Sequence, residues 1–175
     1  WKTDSPGGAD GVAKKTKSKT TVSGTGELKG RKDEGYFVSK KLRGNGSITV
    51  RLSDVRGAGS LARAGVMIRR NDRADSPYVF VGTNANGSLR IARRSTAGGA
   101  TAQKTSGGKP QKSVWLRLKR TGDRINAYTS DNGRRWKKVG SHKVKLGRDC
   151  RIGMWVSGGG TRTGKATFRK LKIQS

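Results

Sequence analysis

The chain has 175 residues, 30% of them hydrophobic and 27 of them glycine, and its 40 Lys and Arg stand against 11 Asp and Glu for a formal charge of +29. Few apolar residues and many glycines exclude a helical bundle, and no apolar run approaches the ~20 residues of a transmembrane helix. Such a charge repels itself unless an anion screens it, and solubility alone needs only ~2–8 net charges, so an anionic partner is expected.

Residues 1–35 are rich in Gly, Lys and Thr and hold the basic cluster Lys14, Lys15, Lys17 and Lys19. Within them, Thr20-Thr21-Val22-Ser23 reads as a short strand ahead of Gly24, so this segment is expected inside the domain. From Tyr36 onward the hydrophobic period is two. Ile48, Val50 and Leu52 alternate with Thr49 and Arg51, and residues 64–70 (AGVMIRR) form the apolar run of a strand covered on both faces. Strands over 78–82 and 88–94 follow, separated by the turn signal Asn86-Gly87. In 114–120, Val114, Leu116 and Leu118 point inward, and Trp115, Arg117 and Lys119 outward. Turns at Thr121-Gly122-Asp123 and Asp131-Asn132-Gly133 frame a strand over 125–129, and further strands are predicted over 136–139, 143–146, 151–156 and 166–173. This spacing predicts an antiparallel sandwich or barrel, with no helix-period segment and no internal repeat.

Several pieces have a characteristic wording: Trp1 at the start, DEGYF over 33–37, LRGNGSITVRL over 42–52, ARAGVMIR over 62–69 and WLRLKR over 115–120. AYTSDNGRRW over 127–136 and ATFRKLKI over 166–173 complete the set. In this order they resemble the concanavalin A-like jelly-roll domains of the regulation-of-enolase-like family. The resemblance covers nearly the whole chain and implies an all-β, two-sheet antiparallel jelly-roll sandwich, one domain over 1–175. It also implies an accessory module of secreted or surface proteins, without an agreed activity. Where relatives carry Ser, Thr and Asp in loops, this chain carries Lys and Arg.

Related jelly rolls include glucanases, whose chemistry needs two carboxylates ~5–10 Å apart. Here the only glutamates, Glu27 and Glu34, precede the main strands, and Asp72, Asp75, Asp123, Asp131 and Asp149 fall in turns where Asp suits the backbone. GGTRTGKA over 159–166 nearly spells a phosphate-binding loop, but Ala166 replaces the magnesium-holding hydroxyl and a strand follows instead of a helix. One cysteine, Cys150, and one histidine, His142, suffice neither for a disulfide nor for a zinc site. Asp72 and Asp75 could offer oxygens to calcium, yet Arg70 and Arg73 beside them oppose a dication. The chain is therefore expected to be non-catalytic, without metal or cofactor.

The remaining signal is the charge. Beyond the N-terminal lysines, bases cluster as Lys40/Lys41/Arg43, Arg93/Arg94 and Arg134/Arg135/Lys137/Lys138, while the resemblance implies a structural role for Arg69 and Arg117, which stand where relatives also carry a base. Trp115, Tyr128, Trp136 and Trp155 are candidate stacking platforms, although a Trp or Tyr on a sandwich strand, taken singly, is more often core or rim packing. Adjacent bases point to opposite faces of a strand, so one patch cannot hold them all. The expected function is binding of an anionic polymer, an acidic polysaccharide or a nucleic-acid backbone, without sequence readout. The alternative is a structural subunit of a filament, surface layer or other assembly, joined to itself or to acidic proteins. The resemblance points to the exterior or cell surface; a lone cysteine also suits the cytoplasm.

Overall fold

The alternation in the sequence becomes strands in the computed structural model, which describes residues 1–105 and 108–175. Numbered along the chain, the first sheet runs β1 (Lys2–Asp4), β4 (Tyr36–Arg43), β13 (Asp149–Ser157), β6 (Arg63–Arg69), β7 (Tyr78–Thr83), β8 (Leu89–Arg94) and β9 (Ala102–Thr105). The second runs β12 (Lys137–Lys143), β11 (Arg124–Ser130), β10 (Ser113–Thr121), β5 (Gly46–Arg56), β14 (Gly164–Gln174), β3 (Lys19–Gly24) and β2 (Gly11–Lys15). The strand pairs are antiparallel: β5 pairs Val50 with Leu116 of β10, and β13 lies between β4 and β6 through Met154, Val38 and Val66.

Between the sheets lies a core of Val, Ile and Leu at alternate strand positions, closed by Phe168 and Met154. Burying such side chains contributes about 1.5–3 kcal/mol each. The N-terminal segment supplies three strands, β1, β2 and β3, where the sequence suggested one. Of the strand expected over 143–146 only Lys143 is strand, as the last residue of β12, and 144–147 is irregular chain. Val144 and Leu146 are buried all the same, because the Val144 N–H donates to the Asp123 carbonyl at 2.8 Å and pins the segment against the core. β5 and β14 each carry a bulge, at Asp54 and Lys170, where a non-glycine residue takes a left-handed conformation (φ 55° at both). Each bulge restores the alternation, so Val55 and Leu171 still face the core.

A second apolar cluster lies on the outer face of the first sheet: Leu28, Phe37, Met67, Tyr78, Phe80, Ala92 and Trp155. A strap formed by residues 25–34 covers it. The Gln103 amide donates to the Leu28 carbonyl at 3.1 Å, and the Thr101 N–H to the Gly30 carbonyl at 2.7 Å. At the strap's far end Asp33 is fully buried against Arg94 (2.7 Å) and Arg69 (3.2 Å). Strap and sheet approach so closely that a Cβ on Gly35 would stand 2.1 Å from the Trp155 indole.

Candidate functional site

Register carries the basic residues of distant segments onto the outer face of the second sheet. Arg51 of β5 lies between Arg169 of β14 and Trp115 of β10, and Arg169 in turn faces Lys19 of β3. One step along the strands, Lys172 and Arg117 flank Thr49, with Tyr128 and then Lys138 beyond. Neighbouring strands are ~4.8 Å apart, so Lys19, Arg169 and Arg51 form a row of three cations at that pitch. Like charges directly opposite one another are destabilising. Hydroxyls brace them: Arg51 donates to Ser113 Oγ at 3.0 Å, Arg169 to Ser53 Oγ at 3.1 Å and Arg117 to Thr49 Oγ1 at 2.9 Å. The nearest carboxylate, Asp54, is 3.9 Å from Arg169.

The aromatic residues of this face are partly occupied. The Arg117 guanidinium sits 4.0 Å from the centre of the Trp136 ring, a cation stacked on a π face. Trp115 lies under the β11–β12 hairpin, where a Cβ on Gly133 would come within 2.8 Å of the indole. That leaves Tyr128 and the far side of Trp136 beside the cations, both half-buried.

Other candidates lie elsewhere. Lys14 shares this face through Thr21, whereas Lys15 pairs with the inward-facing Thr20 and Lys17 sits in the β2–β3 turn. Arg134 and Arg135 cap the hairpin tip, with both N–H groups donating to Asn132 Oδ1 (2.8 and 2.9 Å). Lys138 faces outward beside Tyr128, but Lys137 pairs with Thr129 and turns toward the gap between the sheets. Lys40 lies over the Trp1 ring at 5.0 Å, while Lys41 and Arg43 line a cleft on the opposite sheet. Arg93 points between the sheets, where its guanidinium donates to His142 Nδ1 at 2.7 Å.

Two expectations are corrected here. Arg94 is no polymer contact: it is fully buried, gripping Asp33 through two nitrogens and the Gly99 carbonyl at 2.8 Å through Nε. Trp155 is no stacking platform: it is the largest fully buried side chain, its Nε1–H satisfied by Ser157 Oγ at 3.1 Å and its ring beneath the strap. Both point to the outer side of the first sheet, which is surface in a bare sandwich and interior once the strap is laid down. Arg51, Arg169 and Lys172 lie outside the basic clusters that the sequence marks, the first in β5 and the other two in β14. Their outward phase is visible there, but their adjacency needs the strand order.

Burial pushes the Asp33 carboxyl up, against the hydrogen bonds of Arg94 and the charge of Arg69. Burial also raises the Cys150 thiol, whose sulfur accepts from Arg120 at 3.0 Å. Among the described residues no group of three His, Cys, Asp or Glu side chains could hold a metal ion, and no helix is long and apolar enough to cross a membrane.

No family model matches this chain, and no curated protein does. The narrower regulation-of-enolase-like assignment therefore finds no support. Solved structures do match. A functionally unknown protein from Saccharomyces cerevisiae is similar at 15% identity, over 95% of this chain and 96% of that one, with a TM-score of 0.76. A Bacillus licheniformis β-glucanase is similar at 9% identity, over 96% and 92%, with a TM-score of 0.61. A carbohydrate-binding module from Bacillus subtilis follows at 13% identity, over 95% and 92%, with a TM-score of 0.57. The fold is a concanavalin A-like jelly roll.

The expectation of a non-catalytic chain is corrected on the same ground. Besides the β-glucanase, this fold is shared by alginate lyases and by a xylan β-1,4-xylosidase from Bacillus halodurans C-125, of whose length this chain spans 38%. It is thus a fold that carries polysaccharide-cleaving enzymes. Along the sequence Glu27 and Glu34 are separated by six residues, and the strap brings them together. It folds back so that the Glu34 N–H donates to the Glu27 carbonyl at 3.0 Å, which makes the backbones of the two glutamates neighbours.

Proposed function

We propose that this protein binds an acidic polysaccharide along the outer face of its second sheet, outside the cell or at its surface. The observation that carries this reading is the row Lys19–Arg169–Arg51, three cations side by side with one carboxylate at its edge. A chain of carboxylates or sulfates laid across the strands relieves their mutual repulsion. Arginine suits such a ligand, because its planar fork pairs with a carboxylate through two parallel N–H donors. Tyr128 and Trp136 beside the row offer an apolar surface to a sugar ring. The likeness to a carbohydrate-binding module favours a glycan over a nucleic acid.

The test compares a carboxylated polysaccharide, a sulfated one and a DNA duplex of matched charge, each titrated from 50 to 200 mM salt. The polysaccharide is expected to bind more tightly than the duplex. Lys19→Ser, Arg51→Ser and Arg169→Ser should each weaken binding and flatten the salt slope by roughly one unit for each cation removed. Trp136→Ala should weaken it by about 3- to 10-fold, the scale of a single aromatic packing contact. Equal, weak binding to all three polymers, or a preference for the duplex, would overturn the reading.

A further inference from the structure

The basic residues left off the second sheet's face are not scattered. On the opposite side of the sandwich, where β1, β4 and β13 meet the turn after β6, a cleft of about 700 Å³ opens. Its charge is partly compensated: Lys2 pairs with Asp72 at 2.9 Å, and Arg43 with Asp149 at 3.3 Å. Lys41 and Arg70 line the same cleft with no carboxylate partner among the described residues. Arg151 forms its floor, braced by a 2.8 Å hydrogen bond to Ser39 Oγ. Arg70 is held at the rim by donating to the Lys145 carbonyl at 2.6 Å. This is a concave site with fixed donors and a surplus of positive charge, within the ~300–1,000 Å³ of ordinary ligand clefts.

The cleft and the cationic row therefore face in opposite directions. The two sheets that separate them pack about 10 Å apart, and a single stiff chain crossing one face cannot reach the other. We infer that the protein is bivalent: one monomer holds two chains of acidic polysaccharide, one along the second sheet and one in the first-sheet cleft, and so cross-links them. This rests on the polysaccharide reading above and adds a second site to it. Linking through two sites multiplies the apparent affinity for a dense polymer network without any new interaction at either site. It also gives a use to the distribution of the +29 charge over both faces.

The experiment uses long-chain polygalacturonate and its short oligomer, with light scattering for cross-linking and calorimetry for binding. Three triple variants each remove three positive charges. Lys19→Ser/Arg51→Ser/Lys172→Ser alters the row together with its neighbour Lys172, and Lys41→Ser/Arg43→Ser/Arg70→Ser alters the cleft. As a control, Lys104→Ser/Lys109→Ser/Lys112→Ser alters the stretch from β9 to β10, none of whose three lysines belongs to the row or lines the cleft. All nine side chains are exposed, and the melting temperature of each variant checks its folding. Wild type should scatter strongly with the long chain, most at intermediate ratios, and the short oligomer should disperse the aggregates. The cleft variant should bind oligomer at the row within about threefold of wild type yet fail to cross-link, while the control variant does both. Cross-linking by the cleft variant equal to that of the control variant would overturn bivalency and leave single-face binding standing. Failure of the wild type to bind either form of the polymer would overturn the polysaccharide reading, and bivalency with it.

Discussion

Asp33 and Arg94, 61 residues apart in the chain, meet in a two-pronged hydrogen bond of 2.7 and 2.8 Å with both side chains fully buried. Arg69 approaches the same carboxylate at 3.2 Å, so a single negative charge answers two buried positive ones. Breaking a buried pair by removing one partner costs about 3–5 kcal/mol, because the remaining charge is left uncompensated in low dielectric. Asp33→Ala should destabilise by at least that range, since two guanidinium groups lose their counterion. Asp33→Asn should fall short of rescuing it, because the shape returns without the charge. Urea denaturation of both variants checks this, and a loss below about 1 kcal/mol would mean the strap is not anchored here.

The crowding of cations on the second sheet makes stability depend on salt in an unusual direction. Screening shortens the reach of charge from about 30 Å at 0.01 M to about 8 Å at 0.15 M. With Lys19, Arg169 and Arg51 adjacent, screening relieves more repulsion than attraction. The melting temperature should therefore rise as sodium chloride increases over this range. A thermal scan that stays flat or falls would show that surface ion pairs, such as Lys2 with Asp4, outweigh the repulsion.

His142 gives stability a pH dependence whose sign is fixed by its surroundings. Burial holds its pKa below 6.5, and the positive charges of Arg93 and Lys104 push it further down. The Arg93 guanidinium donates to Nδ1 at 2.7 Å, so the ring must stay neutral to accept. Well above pH 6.5 the folded and unfolded chains both carry a neutral ring, and the residue contributes no pH dependence. As the pH falls below that value the unfolded chain takes up a proton that the folded chain resists, and folding stability drops. The drop ends once the pH passes below the folded pKa. Urea midpoints measured between pH 7.5 and 5 should show this loss in wild type and a smaller one in His142→Gln. An identical pH profile in the variant would assign the dependence to other groups.

The sandwich and the inward set of its strands are legible in the amino-acid order alone. Period-two alternation in 48–52 and 114–120 states which residues face the core, and the Asn-Gly and Asp-Asn-Gly turns state where the chain reverses. Those are local properties, dictated by backbone geometry and the spacing of apolar side chains. The same alternation requires adjacent bases to diverge, as Arg93 and Arg94 do. Which distant residues share a face is a matter of assembly. Lys19, Arg51 and Arg169 become neighbours because β3, β14 and β5 lie side by side, an order that no window of sequence contains. The strap accounts for the rest: by covering the first sheet it turns Arg94 and Trp155, which any outward-facing pattern would place in solvent, into buried anchors. Alternation shows which side of a sheet a residue takes, and only the packed chain shows whether that side meets water.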